Sequence, residues 1–168
     1  MSKIQELLIA TRNRGKVKEI KQALDGLPLN IRVLEEFPGI STADEPGETY
    51  AENAIAKARA YANQSGLSAL ADDSGLEVAA LGYSPGVRSA RFGGDGISDS
   101  ERTMLLLSKL SSVGAERRQA RFMCVMAIAQ PDGAVINIDA GICEGVIAKK
   151  PMGNQGFGYV PIFIPAGH

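Results

Sequence analysis

Three short stretches of this 168-residue chain hold the residue types that could act together chemically. The first, Thr11-Arg12-Asn13-Arg14-Gly15-Lys16, follows the apolar run Leu7–Ala10 and precedes apolar positions at helical spacing. At such a strand–turn–helix passage the backbone N–H groups of the helix start point outward, a glycine admits close approach of an anion, and Lys16 adds a full positive charge. Taken alone, the same pattern is equally a plain turn. The second stretch, Asp72-Asp73-Ser74-Gly75, places two adjacent carboxylates at the C-terminal end of the apolar run Leu67–Ala71. They repel each other unless a cation or donors compensate. On a strand they point to opposite sides, so one faces a given pocket and the other is left to orient neighbours or a water. Strand C-termini are the usual ligand side of α/β sheets, although a solvated turn with Asp capping backbone amides would use the same residues. In the third stretch Asn53 and Lys57 lie four apart on one helical face, and Glu45 sits in an irregular lead-in, free to reach a metal. A solvated surface helix has this composition too. Together the three supply an anion cradle, two cations and several carboxylates, the complement that a magnesium-loaded triphosphate requires.

The elements that must carry these residues can be read along the chain. Val17, Ile20, Ala23, Leu24 and Leu27 recur at helical spacing until Asp25-Gly26 and Pro28 stop them. Ile31–Leu34 reads as a strand, and Gly39–Gly47 as polar and irregular. Thr49 and Glu52 form a capping box for a helix running to about Gln64 and ended by Gly66. Gly82–Asp99 reads largely as loop, followed by a helix from about Asp99 to Leu110. Arg121–Ala129 and Ala134–Ile142 are β-rich runs around the hairpin signature Pro131-Asp132-Gly133. Gly153–Gly158 is a glycine-rich loop before the short run Pro161–Ile164. The order β-α-β-α-β-α-β-β-β predicts a single α/β domain, residues 1–168, with a mixed sheet.

Composition narrows the classes of function. A chain of this length buries roughly 70% of its unfolded surface, and 45% hydrophobic with 22% charged residues is ordinary for a soluble globular domain. Eighteen Lys and Arg against 19 Asp and Glu leave no basic excess for general nucleic-acid or membrane-surface binding. Arg117, Arg118 and Arg121 read as the solvated start of a strand. Cys124 and Cys143 lack metal-ligand spacing and are expected to be buried free thiols in a reducing compartment. No leader and no bilayer-length apolar run is visible, so a cytoplasmic location is expected.

Five segments in this order resemble the inosine/xanthosine triphosphate pyrophosphatase family: Ala10–Lys16; Thr49–Ala54 with Lys57-Ala58; Ala71–Leu76; Pro85-Gly86-Val87-Arg88-Ser89-Ala90-Arg91; and Gly156-Phe157-Gly158-Tyr159. The resemblance covers essentially the whole chain. It implies a two-lobed α/β fold, a long central mixed β-sheet flanked by helices, a nucleotide cleft between the lobes, and a homodimer. It further implies Mg²⁺-dependent hydrolysis of non-canonical purine nucleoside triphosphates (dITP, ITP, XTP) to monophosphate and pyrophosphate. Carried over by position, Thr11, Arg12, Asn13, Arg14, Gly15 and Lys16 would hold the triphosphate, with further substrate contacts from Asn53, Lys57 and Ser74. Glu45 and Asp73 would hold Mg²⁺, Asp73 would accept the proton of the attacking water, and Asp72 would support it. Phe157, Gly158 and Tyr159 would lie against the base.

Two departures from the family pattern stand out. Where the family reads Gly-Phe-Gly-Tyr-Asp-Pro, this chain has Val160, which loses a carboxylate beside the base. The family's further C-terminal helix, with its Lys and Ser-His-Arg elements, does not follow Ile164-Pro165 here, and His168 is not expected to take that role. These departures leave open an alternative of another class: a catalytically weak or silent nucleotide-binding or dimerisation module.

Overall fold

A computed structural model describes residues 5–153 and 156–167. Nine regular elements are named here in chain order: β1 (Glu6–Ile9), α1 (Arg14–Ala23), β2 (Asn30–Val33), α2 (Tyr50–Ser65), β3 (Ser68–Val78), α3 (Asp99–Lys109), β4 (Gln119–Ala129), β5 (Val135–Ile147) and β6 (Phe163–Pro165). The strands form one six-stranded mixed sheet in the order β2-β1-β3-β4-β5-β6. β1 lies parallel to β2, with Glu6 opposite Asn30 and Ile9 opposite Val33, and parallel to β3, with Leu7 opposite Ser68 and Ile9 opposite Leu70. β6 is antiparallel to β5.

The chain forms two compact units. One comprises the residues up to Asp73 together with Val125–Ala140; the other comprises Ser74–Cys124 and the residues from Gly141 onward. In the first unit, Val17 and Ile20 of α1, with Leu24 just beyond its end, pack with Leu7 and Ile9 of β1, Leu70 of β3, and Met126 and Ile128 of β4. Full burial of such a side chain, as at Leu7, Ile9 and Ile20, contributes roughly 1.5–3 kcal/mol. In the second unit, Leu106 and Leu107 of α3 with Leu110 join Leu76, Val78, Ile147, Tyr159 and Ile162 in a separate core.

The capping box predicted at Thr49 is present. Thr49 Oγ1 accepts the Glu52 N–H at 3.2 Å, and Glu52 Oε2 accepts the Thr49 N–H at 3.0 Å. The N–H groups of Thr49 and Glu48, donating to it, hold the Glu52 carboxyl below its ordinary range. Gly66 ends α2 in the left-handed conformation at φ +71°, which a Cβ would strain. Thr49→Ala should therefore cost about 1 kcal/mol, lowering the melting temperature by about 2–4 °C in a calorimetric scan.

Elsewhere the structure redraws the predicted boundaries. β3 does not end at Ala71 but continues to Val78, so Asp72 and Asp73 lie inside a strand. β5 runs five residues beyond Ile142, to Ile147. The predicted loop Gly82–Asp99 contains a 3-10 segment, Gly86–Arg91. Arg118 is buried, not solvated: its guanidinium donates to the carbonyls of Leu110, Val113, Ile147 and Ala148. Arg121 pairs with Glu77 at 2.8 Å and stacks on Tyr83, leaving Arg117 as the exposed member of that trio. Neither thiol is fully buried, since Cys124 is half-buried and Cys143 exposed. Among the described residues no helix is long and apolar enough to cross a membrane. Asn154, Gln155 and His168 lie outside the described residues.

Candidate functional site

Successive residues of a strand face opposite sides, and here both sides are used. Asp72 shares the Leu70 face, toward α1, and its Oδ2 accepts from Lys16 Nζ at 2.6 Å. Asp73 faces the other way. Its Oδ2 accepts from Asn53 Nδ2 at 3.0 Å, and its Oδ1 lies 3.7 Å from Lys57 Nζ. Lys57 also donates to Glu45 Oε1 at 2.9 Å. Lys57, Glu45 and Asp73 thus form one linked cluster, and Lys16 with Asp72 forms an ion pair on the other face of the strand, near enough for the Lys16 charge to act on Asp73; all five lie in the first unit. Asp72 and Asp73 are 4% and 6% exposed, which explains why neither is left without a cation. Burial pushes the Asp73 carboxyl above its ordinary range, and the nearby Glu45 charge adds to this. The Asn53 hydrogen bond and the Lys57 and Lys16 charges act against it.

The segment read as irregular is in fact moored to α2. Ser41 N–H and Oγ donate to Gln64 Oε1, each at 2.9 Å, and Ala43 N–H donates to the Tyr61 hydroxyl at 3.3 Å. Glu45 then meets Lys57, and Gly47 N–H donates to Asn53 Oδ1 at 2.7 Å. Residues 41, 43, 45 and 47 therefore descend a stripe at positions 64, 61, 57 and 53. Six extended steps cover about 20 Å and eleven helical steps about 16 Å, so a strap and a helix face can keep pace in this way. Glu45 is consequently not free, as its position in the sequence suggested, but already holds an ammonium.

The turn Thr11–Lys16 also differs from the outward-facing cradle expected of it. Asn13 caps α1, its Oδ1 accepting the N–H of Gly15 at 2.9 Å and of Lys16 at 3.2 Å, and Thr11 Oγ1 accepts the Asn13 N–H. These amides are satisfied within the turn, which preforms its shape. Arg12 reaches away to the Ile40 carbonyl at 2.9 Å, joining the turn to the strap's approach, and Arg14 is exposed. Sequence reasoning missed this tie and also missed Gly47. A glycine required only for close approach leaves no pattern of its own, and an arginine that anchors a loop looks like one that binds an anion.

In the second unit, Ser74 is half-buried beside Asp73 in the chain. Gly158 is held at both ends: its N–H donates to Asp99 Oδ2 at 3.0 Å and its carbonyl accepts from Thr103 Oγ1 at 3.3 Å. Tyr159 is buried in the core of that unit and its hydroxyl donates to the Ser89 carbonyl at 3.0 Å; burial raises its phenol well above the ordinary range. Phe157 is half-buried and Val160 exposed.

Among the described residues no group of three or more His, Cys, Asp or Glu is arranged to hold a metal by itself. The donor set nevertheless suits Mg²⁺, which takes one or two carboxylates and shares the rest of its shell with water and phosphate oxygens. The ammonium of Lys57, between Glu45 and Asp73, already fills a position that draws a cation.

The chain is similar in sequence and in fold to several known proteins. Over 157 residues the chain is 48% identical to a protein named dITP/XTP pyrophosphatase from Geobacter sulfurreducens, covering 94% of this chain and 78% of that one. A protein of the same name from Syntrophobacter fumaroxidans is 49% identical, with coverage of 96% and 69%. The solved structure of a HAM1 protein from Coxiella burnetii superposes with a TM-score of 0.84 at 41% identity, over 95% of this chain and 81% of that one. The model of the Ham1 family matches residues 7–168, and with these likenesses in sequence and in fold the chain belongs to the Ham1 family.

Proposed function

We propose that this chain hydrolyses non-canonical purine nucleoside triphosphates such as dITP, ITP and XTP to the monophosphate and pyrophosphate, with Mg²⁺. The observation that carries this reading is that Lys16 and Lys57 are held by successive carboxylates of one strand, Asp72 and Asp73, with Glu45 also on Lys57. Two cations and an adjoining pair of carboxylates match a polyphosphate that arrives with a divalent ion. The relatives' printed activity is of the same kind. The alternative of a catalytically silent module is not favoured by those names.

Glu45 and Asp73 would hold the ion, which when bound neutralises phosphate charge and makes a nearby water more acidic. This chain's residues perform the remaining steps. Lys16 and Lys57 exchange a carboxylate for phosphate oxygens, aided by the preformed Thr11–Lys16 turn. Asp73, its carboxyl raised above the ordinary range by burial, accepts the proton as water attacks the α-phosphorus and the bond to the β-phosphate oxygen breaks. Pyrophosphate leaves with the bonding electron pair. Asp72 holds Lys16 in place until phosphate displaces it, Ser74 contacts the substrate, and Phe157 with Gly158 and Tyr159 shapes the base side, where Val160 stands at the family's carboxylate position. We further read the enzyme as a cytoplasmic homodimer, a reading that sedimentation analysis of the purified protein tests.

Pyrophosphate release from dITP and XTP in Mg²⁺ should exceed release from dATP, and chelation of the metal should abolish it. Equal, metal-insensitive release from all three nucleotides would overturn the reading.

A further inference from the structure

Asn53 has no solvent exposure, yet its side chain sits at the edge of a charged cluster. Its Oδ1 accepts the Gly47 N–H at 2.7 Å; its Nδ2 donates to Asp73 Oδ2 at 3.0 Å and lies 3.4 Å from the Gly47 carbonyl. One amide therefore grips the end of the strap with its acceptor and the strand carboxylate with its donor. A buried amide engaged at both ends is costly to disturb. Glu45 lies two residues before Gly47, so whatever fixes Gly47 relative to Asp73 also fixes the two carboxylates relative to each other.

We infer that Asn53 is a positioning residue that sets the separation of Glu45 and Asp73, so that the two carboxylates face one divalent cation. This rests on the function proposed above. No other side chain of similar size supplies the same pair of ends. Leucine keeps the shape and loses both hydrogen bonds. Aspartate sets one carboxylate against another, and glutamine carries its amide one methylene too far. Gly47 is the matching half of the contact: a Cβ there would lie 2.7 Å from Asn53 Oδ1 and 2.6 Å from Glu52 Cβ, so the strap could not approach. The strap has independent moorings farther along, from Ser41 to Gln64 and from Ala43 to Tyr61. Losing Asn53 should thus shift the end that bears Glu45 without releasing the whole segment.

The test compares the parent chain with Asn53→Ala, Gly47→Ala and Gln64→Ala. Mn²⁺ binding is read by the spectroscopic signal of the free ion without nucleotide, alongside kcat and KM for dITP and thermal melting. Both Asn53→Ala and Gly47→Ala should weaken Mn²⁺ binding and lower kcat about 10–100-fold, the range seen when an outer partner of a metal ligand is removed. KM for dITP should stay within about threefold, because Lys16, Lys57 and the Thr11–Lys16 turn are unchanged. Gln64→Ala loosens the far end of the strap and should lower only the melting temperature. A merely structural role predicts that all three variants melt earlier while folded molecules keep the parent's Mn²⁺ affinity and kcat; that result overturns the inference. If Asn53→Ala does not fold, Gly47→Ala decides. A parent that binds Mn²⁺ but releases no pyrophosphate overturns the proposed function, while the Mn²⁺ comparison still judges Asn53. A parent that binds no Mn²⁺ without nucleotide overturns the inference about Asn53, while pyrophosphate release still judges the proposed function.

Discussion

Asp73→Asn is expected to lower kcat for pyrophosphate release by roughly 10³-fold, within the range for loss of a proton acceptor, and at the same time to raise the melting temperature at pH 8. Both effects follow from one fact: this carboxyl is buried and its pKa lies above the ordinary value. A folded-state pKa above the unfolded one means that protonation favours the fold. The stabilising contribution is fully present below the ordinary carboxylate pKa and is lost as pH rises through the raised one. At pH 8 the parent therefore carries an ionised group that folding has partly removed from water. The neutral amide is relieved of this and can still accept from Asn53. The comparison to make is the difference in melting temperature between variant and parent. It should be largest at pH 8 and shrink as pH falls through the raised pKa of Asp73. Carboxyls held low, such as Glu36 and Glu101, respond in the opposite sense but equally in both proteins, so the difference removes them. A variant that retains activity, or melts earlier at pH 8, contradicts this account.

Lys16→Met should lower kcat/KM roughly 10²–10³-fold, equivalent to about 3–4 kcal/mol of transition-state stabilisation, and should also destabilise the fold. Lys16 Nζ lies 2.6 Å from Asp72 Oδ2, and the side chains are 24% and 4% exposed. Breaking a wholly buried pair costs about 3–5 kcal/mol because a charge is left alone. With the lysine partly in water, about 2 kcal/mol is the better figure after discounting for screening. Asp72→Asn should relieve that penalty, so the double variant Lys16→Met/Asp72→Asn should recover melting temperature but not turnover. Recovery of turnover as well would mean that Lys16 serves only as the counter-ion of Asp72 and never meets phosphate.

Some of this was legible in the chain and some was not. The capping box at Thr49, the stop at Gly66 and the Pro131-Asp132-Gly133 turn were readable because their hydrogen bonds close within a few residues. The length of β3 was not. Asp-Asp-Ser-Gly has turn chemistry, and what keeps it extended comes from elsewhere: an ammonium from α1 on one face, an amide and an ammonium from α2 on the other. The grouping of Lys16, Lys57, Glu45 and Asp73 could be anticipated from residue type, but their partners could not. In particular, Asn13 satisfies its own helix start, and Glu45 is tied to Lys57. The stripe Asn53, Lys57, Tyr61 and Gln64 mixes an amide, a cation, an aromatic ring and a second amide. It becomes visible as one feature only when the strap beside it is known to be extended. Arg117 and Arg118 are adjacent and identical in type, yet one is exposed and the other surrounded by carbonyls, a distinction that tertiary packing alone makes.

The position of the two aspartates within β3 governs how the protein should lose activity on heating. Amide hydrogens in the body of a strand exchange only through large openings, while those in a loop exchange through small local ones. Around Asp72 and Asp73 deuterium uptake should therefore be among the slowest in the chain; around Asp44 and Glu45 it should be fast. Gentle warming would silence the enzyme through the strap first, and cooling would bring it back, because the aspartate half of the centre stays assembled until the whole unit gives way.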